Sequence, residues 1–521
     1  YEAGLSRAIG DWLLGMNATR LYTIKYGQNK QVLSIGRVQT PTLALIVNRQ
    51  LEIANFQPKQ YWELKTNYRD TTFSALIRKS DAEIAEEEEK NGGKKKIIEN
   101  PGIDPIANRE EGEALVERIK DLPFVVTSVS KKDGREFAPR LFDLTSLQVE
   151  CNKKFAYSAD ETLKLIQSLY EKKVATYPRV DTTFLSDDIY PKCPGILKGL
   201  RDYEVLTAPL NGSTLPKSKK VFDNSKVESH SAITPTYVIP KGLSAEEQYV
   251  YNAIKNRFIM QFMPVAEFEE TKITLKVNDE HLKGEFISKG KVEIIKGWRV
   301  VEKIETKDTI LPLIEKGENL DIVDSKVNKV TKKPPKYHTE KTLLRVMETC
   351  GKSFKNDKDE EENDEKNTEE MMQAILSGFS IGTPATRAET IKKLKDIGYI
   401  KTKGKSLTTT ELGRTIVEIF PARELLDLEY TGRLEKTLAD IEKGKFKKED
   451  FLNLIYDFTR QSVEKIKNDN SMLHKFKIEK PEGVEEIGKC PVCGNSIIEG
   501  EKGFGCINWK NGCTYTIWKN D

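Results

Sequence analysis

The chain has 521 residues and a mass of 59.3 kDa, which is too long for a single hydrophobic core and predicts several globular units. Hydrophobic residues make up 38% and charged residues 32%, and the apolar runs are far shorter than the roughly 18 residues of a membrane span. The formal net charge is +3, but residues 355–370 hold nine acidic residues and three lysines, so the rest of the chain carries about +9. These values argue against a membrane protein and leave a nucleic-acid partner open.

The elements predicted from the sequence alternate between helical and strand-rich stretches. Residues 1–57 are predicted to be helical, with Thr40 as an N-cap and Pro41 as the first residue of a helix. Three strand-like segments follow: Tyr61–Asn67, Thr72–Ile77 and Phe124–Val129.

A second helical block is predicted over residues 139–262, and helices return from Thr339 to about Lys467. The strand-like segments between these two blocks are Lys272–Val277, His281–Ser288 and Gly297–Val301. This order predicts that the chain leaves each of two domains and later returns to it, an arrangement that often encloses a space between lobes.

Low-complexity stretches interrupt this pattern. Residues 81–93 form a charged run that predicts a solvated insertion, and residues 326–336 are a Lys- and Pro-rich linker. The acidic run at 355–370 predicts a disordered loop that splits one helical unit.

Tyr177 lies where a helix is predicted to end. Ser158 and Glu161 are spaced as a capping box, and the helix they open runs into a Thr-Tyr-Pro-Arg sequence. Pro178 stops the helix and favours an extended backbone at Tyr177, with Arg179 two residues on. A phenol is a poor nucleophile at neutral pH, and a neighbouring guanidinium favours its phenolate and holds a phosphate. The alternative is a structural tyrosine bonded to a carbonyl, beside a surface ion pair between Arg179 and Asp181, and this segment alone favours that alternative.

Four blocks bear on this choice: Leu33–Pro41 (LSIGRVQTP), Phe142–Gln148 (FDLTSLQ), Thr176–Thr182 (TYPRVDT) and Gly382–Ala388 (GTPATRA). In this order they resemble the type IA DNA topoisomerases and, within them, the bacterial topoisomerase III group, and the resemblance favours the functional interpretation of Tyr177. The resemblance covers nearly the whole chain. It implies an enzyme in which Tyr177 cuts one DNA strand and keeps its 5′ phosphate as a phosphotyrosine. Another strand then passes through the gap before resealing, and no ATP is needed.

The resemblance also implies roles for other residues. Arg179 binds the scissile phosphate and His230 aids transition-state charge, although Ser231 departs from the family pattern at the next position. The DNA contacts implied by the matching blocks are Arg37, Gln39, Asp181, Thr182 and Arg387. Three of these residues also have a non-functional alternative: Arg37 as a solvated arginine at a glycine turn, His230 as a structural histidine, and Arg387 as part of an ordinary helix followed by a turn.

Catalytic magnesium is expected from a Toprim domain, which in the family precedes the region matched here. Asp357–Glu361 formally matches its D-x-D-x-E motif, but the match lies in the acidic run and not after an apolar strand, so we reject it. The chain starts at Tyr1 and not at Met, and we expect it to be the downstream part of a longer protein. On that expectation, residues 1–521 alone are catalytically incomplete.

Four of the seven cysteines fall in the last 32 residues, which predicts a reducing compartment and one metal site rather than a disulfide scaffold. Cys490 and Cys493 form a tight pair, and Cys506 and Cys513 follow after twelve and six further residues. Four thiolates suit tetrahedral zinc, and about 35 residues hardly build a core without such a staple. Trp509 and Trp518 stand among lysines, which suits bases stacked beside neutralised phosphates. The alternative is that the aromatic residues of this segment simply fill its small core.

The sequence therefore predicts a mixed fold, mainly α with β-rich arms, in the multi-lobed toroidal form of the resembled family, plus a small zinc ribbon. The expected units are a helical base (1–58 and 331–475), a β-rich arm (59–138 and 263–330), a helical tyrosine domain (139–262) and a four-cysteine zinc ribbon (485–521). We expect a monomeric, cytoplasmic, nucleoid-associated enzyme that relaxes or decatenates DNA, with mainly single-stranded or negatively supercoiled DNA as its partner. Two alternatives stay open: a DNA-binding fragment without catalysis, and a relaxase-like nickase, which would need clustered histidines.

Overall fold

The computed structural model describes residues 1–27, 32–78, 102–200, 214–227, 229–279, 282, 284–322, 324–350, 380–469, 483–511 and 513–519. The predicted insertion at 81–93 and the predicted acidic loop at 355–370 lie outside these residues. Within the described ranges, no helix combines the length and the apolar composition needed to cross a bilayer.

Helices dominate residues 2–54, 144–260 and 340–468. In chain order the described α-helices are α1 (Glu2–Tyr26), α2 (Gln39–Ala54), α3 (Arg109–Ile119), α4 (Leu144–Phe155), α5 (Ala159–Glu171), α6 (Cys193–Gly199), α7 (Ala245–Met260), α8 (Glu340–Glu348), α9 (Pro384–Asp396), α10 (Glu411–Ile419), α11 (Leu428–Glu442) and α12 (Lys448–Asn468).

Strands lie mainly between these helical regions. They are β1 (Gln60–Tyr68), β2 (Thr71–Ala75), β3 (Phe124–Glu136), β4 (Ala266–Val277), β5 (Glu285–Ile295), β6 (Asn319–Leu320), β7 (Asp324–Thr331), β8 (Ile400–Lys403), β9 (Ser406–Thr409), β10 (Gly488–Lys489), β11 (Ser496–Glu499), β12 (Gly503–Cys506) and β13 (Thr516–Trp518).

Local capping explains where several helices begin. The predicted capping box of α5 is confirmed: the Ser158 hydroxyl accepts from the Glu161 amide at 3.2 Å, and Glu161 accepts from the Ser158 amide at 2.7 Å. Helix α2 differs from the prediction, because it starts at Gln39 and Thr40 already lies inside its first turn. The Thr40 hydroxyl instead accepts from the Gly36 amide at 3.0 Å, which ties the preceding loop to the helix.

One antiparallel sheet collects strands from both strand-rich stretches, in the order β6-β3-β4-β5-β2-β1-β7. The chain thus leaves this sheet after β3 and returns to it at β4. The predicted strand Gly297–Val301 is wrong, because Gly297–Glu302 is a 3₁₀ helix that starts from a positive φ of 53° and buries Trp298. Half of the predicted linker at 326–336 is also strand, since β7 pairs with β1 as far as Thr331.

Each helical region has its own core. The core of the tyrosine region packs α4, α5 and α7 around buried side chains such as Leu147, Ile166 and Phe258. A second core, which we call the base core, joins α1 and α2 to helices α8–α10 through residues such as Leu14 and Leu343. Residues from both ends of the sequence therefore share one apolar interior.

Candidate active site and metal centre

Two extended segments hold Tyr177 in place. The Thr176 amide donates to the Thr234 carbonyl at 3.0 Å, and the Thr236 amide donates to the Val174 carbonyl at 3.1 Å. The Thr176 hydroxyl accepts from the Thr234 amide at 3.0 Å, so side-chain and backbone bonds reinforce the same pairing. This pairing fixes the residues just before Tyr177 against those just after His230.

Tyr177 lies in a row of three rings. Its ring centroid is 4.6 Å from that of His230, with the planes tilted by 40°, and 5.6 Å from that of Tyr170 in an edge-to-face arrangement. The side chain is half-buried, and within the described residues its hydroxyl makes no hydrogen bond. The alternative of a structural tyrosine bonded to a carbonyl is therefore not what these residues form.

A cleft of about 180 Å³ opens beside this row, and Arg179, Asp181 and His230 line it. The other lining residues are Val180, Ser229, Thr383, Pro384 and Ala385. Tyr177 itself is not in the lining, and His230 is the residue that both contacts the Tyr177 ring and faces the cleft. Arg179 and Asp181 are exposed and, in the described part of the chain, make no ion pair with each other, so the guanidinium is available to a ligand.

The far wall of the cleft is the start of helix α9. Thr383 caps this helix and Pro384 is its first residue. The N-terminus of a helix favours an anion, because its amide groups and its macrodipole both present positive charge. With Arg179 and His230 opposite, the cleft has the donors that a phosphodiester needs.

Arg387 lies behind this wall and not in the cleft. It is 2% exposed, and its guanidinium donates to the Gly382 carbonyl at 3.1 Å and to the Thr145 hydroxyl at 2.9 Å. The predicted direct DNA contact does not fit this burial. Arg387 instead braces the turn at Gly382, where φ is +66°, and links α9 to α4 of the tyrosine region.

Arg37 and Gln39 are also buried, contrary to the expectation of an exposed phosphate site. The Arg37 guanidinium donates to Glu435 at 2.6 Å and to Asp11 at 2.7 Å. The Gln39 amide donates to the Ser34 carbonyl at 2.9 Å. Both side chains are satisfied within the base core and do not line the cleft.

Thr182 is likewise internal, whereas its neighbour Asp181 faces the cleft. The Thr182 hydroxyl donates to the Lys226 carbonyl at 2.7 Å and accepts from the Phe184 amide at 3.2 Å. Sequence reasoning missed Ser229 and Thr383 as cleft residues. The cap-and-proline start at Thr383 was a usable signal, because it marks a helix N-terminus, but nothing in the sequence marked Ser229.

The four C-terminal cysteines converge at one point. Their sulfur atoms all lie within 4.8 Å of one another, and all four residues are buried in the ribbon of β10–β13. The Asn508 amide donates to the Cys506 sulfur at 3.4 Å, and the Asn495 side chain donates to the Cys493 sulfur at 3.5 Å, as expected around thiolate ligands. The donor set and its burial fit a metal ion such as zinc.

Trp509 and Trp518 lie on the outside of this ribbon, 62% and 54% exposed. The small ribbon core contains Ile497, with Phe504 and Tyr515 packed against it, so the two tryptophans do not fill it. Within the described residues the cysteines are the only group of three or more metal-ligating side chains close enough to share an ion. That leaves no histidine cluster there for a relaxase.

Comparisons with known proteins place the chain in a family. A family model described as DNA topoisomerase matches residues 1–453. DNA topoisomerase 3 of Bacillus cereus (strain ZK / E33L) is 33% identical over 520 residues, covering 96% of this chain and 65% of that protein. DNA topoisomerase 3 of Bacillus subtilis (strain 168) is 31% identical over 512 residues, covering 96% and 64%.

A solved structure shares the fold. Full-length topoisomerase I from Thermotoga maritima superposes with a TM-score of 0.63 at 23% identity, over 99% of this chain and 75% of that one. The chain spans about 65% of the length of the Bacillus relatives. The matched family, the identity to the relatives and the shared fold show that the chain belongs to the type IA DNA topoisomerases, as its four sequence blocks predict.

Proposed function

We propose that this chain carries the strand-cutting tyrosine of a topoisomerase III, in which Tyr177 attacks a DNA phosphodiester. One observation supports this most: the Tyr177 phenol, which has no hydrogen bond to any described residue, is held against His230, and His230 lines a cleft with an exposed arginine. Membership of the family supplies DNA as the substrate.

In the proposed reaction the Tyr177 oxygen forms a bond to phosphorus, and the bond from phosphorus to the 3′ oxygen of the neighbouring nucleotide breaks. The phenol loses its proton, and the departing 3′ oxygen gains one. The 5′ phosphate stays on the enzyme, another strand passes, and attack by the 3′ hydroxyl reseals the backbone. Because one phosphodiester replaces another, no nucleotide cofactor is required.

Arg179 and His230 have distinct tasks in this scheme. The Arg179 guanidinium binds the non-bridging oxygens and so offsets the repulsion between phenolate and phosphate. His230 lies between nucleophile and cleft and stabilises the charge that develops on the phosphoryl oxygens. The macrodipole at the start of α9 supplies further positive potential.

We also propose that two metal ions take part, one structural and one catalytic. Zinc bound by Cys490, Cys493, Cys506 and Cys513 holds the C-terminal ribbon together. Magnesium, with the carboxylates of a Toprim domain, would stabilise charge at the scissile phosphate. Apart from the cysteines, the described residues bring together no group that fits a metal ion, so no step here is assigned to magnesium.

We also infer the shape of the protein and the DNA on which it acts. We infer a ring of lobes built from the base core, the sheet and the tyrosine region, with the domain limits given above. The exposed Trp509 and Trp518 suit single-stranded DNA, because nucleobases stack on such rings. We infer that the enzyme acts as a monomer on underwound DNA in the cytoplasm.

A trapping experiment tests this function. The full-length protein is incubated with a single-stranded oligonucleotide and magnesium, denatured, and analysed for a covalent adduct with each DNA end labelled in turn. Wild type should retain the 5′-phosphate end, and Tyr177→Phe should retain none. Tyr170→Phe is the matched control, since it removes the hydroxyl of the neighbouring ring and should leave the adduct. An adduct on Tyr177→Phe, or none on wild type, would refute the proposal.

A further inference from the structure

The seven-stranded sheet has two unlike faces. One face is apolar and packs on the sheet core, which includes Leu64, Phe73 and Phe286. Because side chains alternate along each strand, the other face carries the residues between these. We call it the outer face, and it contains Lys65 and Ser74, Ile287 and Lys289, Lys272 and Thr274, and Lys326.

Two lysine pairs stand directly opposite each other on this outer face. The register pairs Lys65 of β1 with Lys326 of β7, and Lys272 of β4 with Lys289 of β5. Residues directly opposite in an antiparallel pair have Cβ atoms about 4.5–5.5 Å apart, and like charges there are unfavourable. Both pairs therefore oppose the stability of the sheet that carries them.

The neighbouring charges on the same face are complementary. On one side of the Lys272–Lys289 pair, Lys276 lies opposite Glu285, with a nitrogen–oxygen distance of 3.4 Å. On the other side, Glu270 lies opposite Lys291, at 3.8 Å. The like-charge pair is thus a local exception within a ladder that otherwise matches opposite charges.

Lys272, Lys289 and Lys326 are exposed, and within the described part of the chain none has an acidic partner within 4 Å. Lys65 differs, because it forms an ion pair with Glu63 on its own strand at 3.0 Å. Between the two pairs the face carries uncharged side chains, since Lys65 is opposite Ser74, and Ser74 is opposite Ile287. Three of the four ammonium groups, those of Lys272, Lys289 and Lys326, therefore have no carboxylate beside them among the described residues.

A flat, extended polyanion fits this arrangement better than a compact one. The strands β1 and β4 are three strand spacings apart, so the two lysine pairs are separated by about 14 Å across the sheet. An inorganic anion bound at one pair cannot reach the other, whereas a sugar-phosphate backbone presents single charges at intervals along its whole length.

We propose that the outer face of the sheet is a second DNA-binding surface, distinct from the Tyr177 cleft, at which Lys65, Lys272, Lys289 and Lys326 contact the phosphate backbone without reading sequence. The choice of DNA as the polyanion rests on the proposed function. The bound backbone offsets the repulsion that the free sheet tolerates at the two lysine pairs.

The test is the salt dependence of single-stranded DNA affinity. The double variant Lys272→Gln with Lys326→Gln is compared with a matched control, Lys131→Gln with Lys329→Gln, which removes two lysines from the opposite face of the same sheet. The slope of log Kd against log salt should fall by about 1.4 in the outer-face variant, at roughly 0.7 per lost phosphate contact, and stay unchanged in the control. Equal slopes in the two variants overturn the proposal.

A second variant separates binding from folding. Lys272→Glu places a carboxylate opposite Lys289, so its unfolding temperature should equal or exceed that of wild type while DNA affinity falls about tenfold. The proposal is overturned if DNA binding weakens only when the unfolding temperature also falls. It is also overturned if the variant binds DNA as wild type does but no longer binds polyglutamate, a polyanion that has no phosphate. The Tyr177 adduct on a short oligonucleotide should persist in all these variants. Absence of that adduct in wild type would instead refute the proposed cutting reaction, which the salt slopes do not measure.

Discussion

The imidazole of His230 packs against the ring of Tyr177, with 4.6 Å between the ring centroids. The two residues are far apart in sequence and are brought together by the pairing of residues 174–176 with 234–236. One side of the imidazole is therefore occupied by the proposed nucleophile, and the other faces the cleft. This position lets His230 both support the tyrosine ring and act on a bound phosphate.

Substitution of His230 separates these two roles. His230→Phe keeps a ring beside Tyr177 but removes the nitrogen atoms, and we expect the rate of adduct formation at saturating DNA to fall about 100-fold. DNA affinity should change little, because Arg179 and the start of α9 stay in place. Single-turnover trapping at several DNA concentrations measures both quantities. A near-wild-type rate in His230→Phe would show that the residue only supports the ring.

The residues of the cleft could be predicted where the signal was local. Arg179 and Asp181, which line the cleft, follow from one short segment together with Tyr177, whereas Ser229 and Thr383 were missed. Arg37 could not be placed in this way, because the partner that buries it, Glu435, lies 398 residues further along the chain. A solvated arginine and a buried one look alike in sequence, and only the tertiary fold decides between them.

The buried ion pair between Arg37 and Glu435 leads to a stability prediction. Burial alone raises the pKa of Glu435, but Arg37 and Arg7 outweigh it and leave the pKa lowered. Arg37→Met leaves this carboxylate with a poorer partner, and we expect a loss of about 3 kcal/mol in the free energy of unfolding.

Urea denaturation measures this loss of stability, and two further variants serve as controls. Arg37→Met combined with Glu435→Gln should recover part of the loss, because no buried charge is then left unpaired. Arg179→Met, at an exposed position, should change stability by less than about 0.5 kcal/mol. A cost for Arg37→Met no larger than that of Arg179→Met would show that the pair contributes nothing to folding.

For the sheet, as for the cleft, local sequence patterns predicted some of the elements but not the long-range contacts between them. Strand-like alternation predicted β1 and the start of β3, yet it contained nothing about which strands pair. The order β6-β3-β4-β5-β2-β1-β7 depends on contacts between stretches some 130 to 270 residues apart. The 3₁₀ helix at Gly297–Glu302 was missed because its apolar residues fit a strand equally well.

Glu247, at the start of α7, predicts a pH dependence of stability. Hydrogen bonds from Lys172 and Ser168, both at 2.6 Å, lower the pKa of its carboxyl from 4.5 to about 2. A depressed pKa adds stability that is fully present above the unfolded pKa and is lost as pH falls toward the folded one. The window is therefore roughly pH 5 to 2.

We expect wild type to exceed Glu247→Gln by roughly 1–2 kcal/mol at pH 7, allowing for the partial exposure of Lys172. More than half of that difference should vanish by pH 3. Urea unfolding of both proteins across this range measures it, and Glu246→Gln, an exposed neighbour, serves as the control. A difference that stays constant with pH would mean that Glu247 stabilises the helix without its charge.

The folding of the C-terminal ribbon should depend on its metal ion, whereas the folding of the rest of the chain should not. Its core has little besides the four cysteines, whereas the base and tyrosine cores are large and separate. Burial raises the pKa of the Cys513 thiol to about 11, so metal binding must displace its proton and should tighten as pH rises.

Loss of one sulfur ligand tests this dependence. Cys513→Ser should lower bound zinc from one equivalent to nearly none, measured by atomic absorption, and make residues 485–519 sensitive to protease. Single-stranded DNA affinity should fall with the loss of the ribbon, while the Tyr177 adduct still forms. Cys350→Ser, which keeps a donor for the Leu428 carbonyl at 2.9 Å, is the matched control and should retain the zinc. Full zinc content in Cys513→Ser would show that the four sulfur atoms do not share one ion.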